Sequence, residues 1–262
     1  MKQLFVALAL VLAACGGSTT DSTTTTVISD GQTGADAGVP GDLSPGGLDI
    51  RTLEMSDGTQ ITYGLILPDG FDASQEYPVL LALPPGDQTV GLMTSVAETT
   101  YLSEALEGGW VVITPAAPNG TLFFQGSETY IPEILNQVSW IRPEGGLYHL
   151  AGVSNGGKSA FRIAALNLDL FSSVLVFPGF PESEADEAAL VELADLQFAM
   201  FVGSEDTGWL SEMSATRDTL EALGANVTLD VRQGEGHIMS SLSDGADIFE
   251  ALENSRRPVA DS

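Results

Sequence analysis

The sequence predicts one α/β domain built on a mostly parallel sheet with helices on both faces. Three observations carry this. Short continuous apolar runs recur along the chain, segments with helical spacing separate several of them, and no intervening stretch is long enough to form a second folded unit. A chain of 262 residues that is 44% hydrophobic can bury one sizeable core, and it contains no internal repeat.

The N-terminal part reads as addressing and tether. Lys2 is followed by an apolar run from Leu4 to Ala14, a positive start and a hydrophobic segment too short to span a bilayer, which is the pattern of a secretory signal. Its end, Leu12-Ala13-Ala14-Cys15, resembles the lipobox of bacterial lipoproteins. That resemblance implies a signal peptide over 1–14 and a lipid on Cys15. It also implies an extracytoplasmic location on the bacterial cell envelope, with the membrane engaged only through that lipid. An ordinary signal peptide with an incidental cysteine is the competing reading. From Gly16 to about Gly47 the residues are mostly Thr, Ser, Gly, Asp and Pro, which cannot offset their ordering entropy by burial. A flexible tether is therefore expected over 15–47 and the folded domain over 48–256.

Within the domain, Asp57-Gly58 separates two stretches of Ile50 to Leu67, the second alternating as Ile61, Tyr63, Leu65 and Leu67, which predicts a β-hairpin. Six buried strands are then expected at Val79–Leu83, Trp110–Thr114, Leu147–Val153, Ser173–Phe177, Phe198–Val202 and Val227–Val231. Helical spacing covers Ser159–Leu166 and Met213–Leu223, with Gly224 at a C-capping position. The acidic stretch Pro181–Leu196 reads as a short amphipathic helix with a solvated face, not a metal site. Right-handed crossovers would gather the carboxyl ends of the parallel strands along one edge, where ligands bind in open α/β sheets.

Charge and cysteine count exclude whole classes of function. With 36 acidic and 9 basic residues the formal net charge is −27, a field that repels phosphate backbones and anionic head groups, so no nucleic-acid partner is expected. Cys15 is the sole cysteine, which rules out an intramolecular disulfide and a cysteine-based zinc cluster.

The chemistry concentrates in Gly152-Val153-Ser154-Asn155-Gly156-Gly157, a G-x-S-x-G motif between an apolar strand and a helical segment. This is the strand-turn-helix context of a nucleophile elbow. The glycines allow a sharp turn and the serine is presented at the sheet edge. A serine hydroxyl needs a base, and the chain offers two histidines. His149 lies inside the strand before the elbow, where a structural, hydrogen-bonded role is expected. His237 follows the last expected strand on the glycine-rich Gln233–His237 loop and is the expected base. The carboxylate that orients it should follow Phe198–Val202, where Glu205 and Asp206 both stand. Backbone donors for an oxyanion are expected from Asn155 and from the Leu83-Pro84-Pro85-Gly86-Asp87 turn. Proline has no N–H, so Gly86 or Asp87 must supply the second donor. Phe123, Phe124 and Trp209 are candidate walls of a substrate pocket.

From about Arg51 to Leu252 the chain resembles single-domain α/β-hydrolases, in particular the secreted esterase branch related to feruloyl and acetyl esterases, polyhydroxybutyrate depolymerases and dienelactone hydrolases. Tyr77-Pro78-Val79-Leu80-Leu81-Ala82-Leu83 is similar to that branch's strand before the oxyanion loop, and Leu150 to Gly157 to its elbow. The G-x-x-D pattern of Gly203–Asp206 is similar to its acid loop, which implies Asp206 as the acid and the chain order Ser154, Asp206, His237. Where many relatives carry His-Gly, this chain has Pro84-Pro85. The resemblance implies hydrolysis of a small-molecule or polymer-derived ester through an acyl-enzyme, with no cofactor and no large cap over the site. A serine peptidase and a non-catalytic ligand-binding lipoprotein are the alternatives that the same fold allows.

Overall fold

The computed structural model describes residues 26–27 and 38–256. The leader, Cys15 and most of the expected tether lie outside the described residues. The strands are β1 (Thr26–Val27), β2 (Gly47–Glu54), β3 (Gln60–Leu67), β4 (Glu76–Tyr77), β5 (Val79–Leu83), β6 (Val111–Pro115), β7 (Arg142–Pro143), β8 (Tyr148–Gly152), β9 (Phe171–Val176), β10 (Gln197–Gly203) and β11 (Asn226–Arg232). Nine of them form one sheet in the order β1-β2-β3-β6-β5-β8-β9-β10-β11, while β4 and β7 make a separate small pair. β3 runs antiparallel to both β2 and β6, and every other pairing is parallel.

The expected hairpin is β2–β3, with Leu53 opposite Ile61. Its turn closes through Gly58, at φ +85°, and through the Asp57 carboxylate, which accepts the Thr59 N–H at 2.8 Å. Thr26 and Val27, inside the expected tether, pair with Arg51 and Thr52 at the open edge of β2. Five of the six expected strands are buried, because their two faces are covered. The sixth, β11, corrects the expectation: it is the edge strand, and its residues alternate between exposed and half-buried. The sequence Val227-Thr228-Leu229-Asp230-Val231 carries that period-2 alternation.

The helices are α1 (Val90–Val96), α2 (Leu102–Gly108), α3 (Ile131–Gln137), α4 (Asn155–Leu166), α5 (Glu184–Ala188), α6 (Thr207–Ala222) and α7 (Ala246–Ser255). A π-helical turn over Ala97–Tyr101 links α1 to α2. α4 and α6 begin four and six residues earlier than their apolar spacing predicts, and Gly224 stops α6 at φ +87° as expected. Two apolar layers sandwich the sheet. Phe161 and Ile163 of α4, Leu220 of α6 and Ile134 of α3 pack on one face, while Tyr101, Ala105 of α2, Ile248 and Leu252 of α7 pack on the other. Each such aliphatic side chain contributes about 2 kcal/mol by leaving water.

The acidic stretch also needs correction. Glu182, Glu184, Glu187, Glu192 and Asp195 are exposed, but Asp186 is buried. Its carboxylate accepts from Arg162 Nε at 2.8 Å and caps its own helix through Ser183. Burial alone would push this carboxyl up, yet the bonds from Arg162 and Ser183 outweigh it and hold Asp186 below the usual carboxylate range. His149 stands where the sequence placed it, inside β8, with Nδ1 2.7 Å from Ser173 Oγ and its ring 5.0 Å from that of Trp110. Burial, with Arg256 nearby, pushes its pKa down to about 4.

Candidate active site

The site is assembled at the carboxyl edge of the sheet, from loops that leave β5, β8, β10 and β11. Ser154 sits between the end of β8 and the start of α4 at φ +55° and ψ −113°, a conformation that costs a non-glycine residue about 1–2 kcal/mol. The surroundings hold it there. Its N–H donates to Pro178 O at 2.8 Å, and a Cβ at Gly152 would overlap the Gly156 carbonyl, as one at Gly156 would overlap the Leu83 carbonyl. Both glycines are therefore demanded by close backbone approach, as the motif predicts.

His237 Nε2 lies 2.8 Å from Ser154 Oγ and its Nδ1 lies 2.6 Å from Asp206 Oδ2. A carboxylate only accepts, so Nδ1 carries the proton and Nε2 is left to accept from the serine hydroxyl. Of the two acids expected here, Asp206 faces the imidazole, while Glu205 is exposed and its backbone N–H donates to Glu235 O at 2.8 Å. The acid and histidine loops touch through Gly203, where a Cβ would overlap the Gly236 and Glu235 carbonyls. The His237 side chain is 39% exposed, so among the described residues the pair opens to solvent.

Asn155 is the first residue of α4, where a backbone N–H has no partner within the helix. No hydrogen bond to a described residue engages the N–H of Gly86 or Asp87. The turn that carries them is fixed by contacts the sequence did not reveal. Asn155 Nδ2 donates to Gly86 O at 3.0 Å. Gln88, fully buried at φ +51°, donates from Nε2 to Ser159 Oγ at 3.1 Å and accepts the Phe123 N–H on Oε1 at 2.8 Å.

Of the three candidate wall residues, Phe124 and Trp209 come together around Lys158, and Phe123 is fully buried in the core. The Trp209 ring stands 4.7 Å from the His237 ring and 4.8 Å from that of Phe180. Next to the turn that leaves β5, an open cleft of about 700 Å³ is lined by Asp87, Thr89, Val90, Ala117, Leu122 and Gln125. Among the described residues no group of three or more His, Cys, Asp or Glu side chains is placed to hold a metal ion.

The sequence matches no known family model and no curated protein. Solved structures do match. A thermostable esterase superposes with a TM-score of 0.63 at 14% identity, covering 79% of this chain, which spans 62% of the esterase chain. An S-formylglutathione hydrolase from Agrobacterium tumefaciens gives 0.65 at 17% identity, covering 82% of this chain and 98% of its own. The feruloyl esterase module from Clostridium thermocellum gives 0.61 at 16%, covering 82% and 91%. These likenesses, with the mostly parallel sheet and its helices, identify the α/β-hydrolase fold.

Proposed function

We propose that this protein is a serine hydrolase that cleaves carboxylic esters, with Ser154 as nucleophile, His237 as general base and Asp206 orienting the imidazole. The observation that carries this reading is the continuous hydrogen-bond chain from Ser154 Oγ through His237 to Asp206 on a strained elbow. In the proposed cycle Ser154 Oγ attacks the ester carbonyl as its proton passes to His237 Nε2. The oxyanion is met by the N–H of Asn155 and one from Gly86 or Asp87. His237 then protonates the leaving alcohol, and a water activated by the same imidazole hydrolyses the acyl-enzyme. Esterases and an S-formylglutathione hydrolase among the neighbours on the same fold support ester substrates, while a neighbour assigned as a dipeptidyl aminopeptidase with the same fold makes the peptidase the alternative to test. The lipobox-like Cys15 supports a lipid-anchored enzyme on the outside of a bacterial membrane.

The test is hydrolysis of a short-chain p-nitrophenyl ester by the domain freed of residues 1–45, beside the Ser154→Ala protein. Turnover in the first that falls to near background in the second is expected, together with labelling of Ser154 by a serine-reactive phosphonate. A domain that neither turns over esters nor takes the label would sink the reading.

A further inference from the structure

The chain has only two lysines, Lys2 in the leader and Lys158, so the folded domain spends its single lysine one helical turn beyond Ser154. The two residues share a face of α4, where the Lys158 N–H donates to Ser154 O at 3.1 Å, and side chains on a helix lean toward its N-terminus. Lys158 Nζ is held over three rings, 4.9 Å from the centre of Phe180, 5.2 Å from Trp209 and 6.0 Å from Phe124. The ammonium and the His237 imidazole are thus neighbours of the same indole.

A cation in this place calls for an explanation. The six described arginines each pair with carboxylates, as expected of a chain with so many acids. Lys158 is paired as well, but among the described cations it alone stands over three aromatic rings; with 16% of its side chain exposed it has given up much of its hydration, and an apolar residue would line an uncharged pocket at lower cost. Its one carboxylate partner is Glu182, on the exposed segment before α5, with 35% of that side chain in solvent. The cation stands among rings, while its counter-ion lies on the more exposed side of the pair. Only one of the three ammonium protons is needed for Glu182.

Resting on the serine-hydrolase reading, we propose that Lys158 is a specificity-determining residue that anchors a carboxylate carried by the substrate. The preferred class is then half-esters of dicarboxylic acids and other esters bearing a free acid group, with Glu182 as the exchangeable counter-ion of the empty site. A local cation of this kind also offsets the acidic field of the whole molecule, which otherwise repels such substrates.

Two measurements test this. The first is the ratio of kcat/KM for p-nitrophenyl hemiglutarate to that for p-nitrophenyl pentanoate. Lys158→Met should lower the ratio by about tenfold to a hundredfold, the effect of one charge-assisted hydrogen bond, Lys158→Arg should restore part of it, and Glu182→Gln should raise it. The second needs no turnover: glutarate titrated calorimetrically into the Ser154→Ala protein should bind, and should bind about tenfold or more weakly once Lys158→Met is added. Ratios and glutarate affinities that stay level across these variants overturn the proposal. Loss of turnover and of phosphonate labelling with Lys158-dependent glutarate binding intact would instead overturn the hydrolase reading and leave the anion site standing.

Discussion

In the proposed cycle Asp206 acts through one hydrogen bond, and that bond fixes which nitrogen of His237 bears a proton. An amide in its place can donate to Nδ1 and stabilise the wrong tautomer. Asp206→Asn should lower kcat by about 10³- to 10⁴-fold with a much smaller change in KM, read from steady-state ester hydrolysis. His149 shows the opposite use of the same side chain. In the unfolded chain it protonates near pH 6.5, but buried beside Ser173 it resists until about pH 4. The unfolded state therefore binds the extra proton first, and stability present above pH 6.5 is lost as pH falls toward 4, by about 3 kcal/mol. Urea unfolding at pH 7 and pH 4.5 should show this loss, and it should shrink in His149→Gln. Both histidines could be assigned from the sequence, since one lies mid-strand and the other on a loop leaving a strand end. Gln88 and Lys158 could not. Gln88 acts on Ser159, 71 positions away, and the ring cage of Lys158 exists only after two loops and the start of α6 converge. The one available signal for Lys158 was compositional, as the lone lysine after the leader.

At the scale of elements, the strands were legible because continuous apolar runs between breakers have few other fates, and the misjudged one, β11, carries alternation that marks an edge. Helix starts were hidden for local reasons. α4 opens with Asn155-Gly156-Gly157 and α6 with Thr207-Gly208, weak helix formers with no apolar period, chosen by the site and not by propensity. Between α1 and α2 the π turn inserts an extra residue into the helical count and breaks the 3.6 period over Val90–Gly108. The turn leaving β5, which carries the proposed oxyanion donors, is tied to α4 by Asn155 and by Gln88, and to the Phe123 segment by Gln88. Gln88→Leu leaves the buried Phe123 N–H without its partner and should cost about 1–3 kcal/mol of stability. It should also lower kcat more than it raises KM, because the donors it displaces serve the transition state. Thermal melts and ester kinetics on the same preparation check both halves.

Across the whole molecule, one sheet brings three distant segments to a common edge, and the parallel order β8-β9-β10-β11 sets where each catalytic side chain emerges. The strands that deliver the serine and the aspartate are central and covered. The strand that delivers the histidine is not: β11 has a partner on one side only and leaves alternate residues in water. Interior strands open with the global free energy of unfolding, whereas a peripheral one can detach at much lower cost. Amides of β11 should therefore exchange with deuterium faster than those of β8, and on gradual heating ester turnover should vanish several degrees before the near-ultraviolet dichroism of the core changes. On the proposed reading, fraying of a single strand would silence ester turnover reversibly with the fold intact beneath it, which puts the expected thermal limit of activity at the periphery and not in the core.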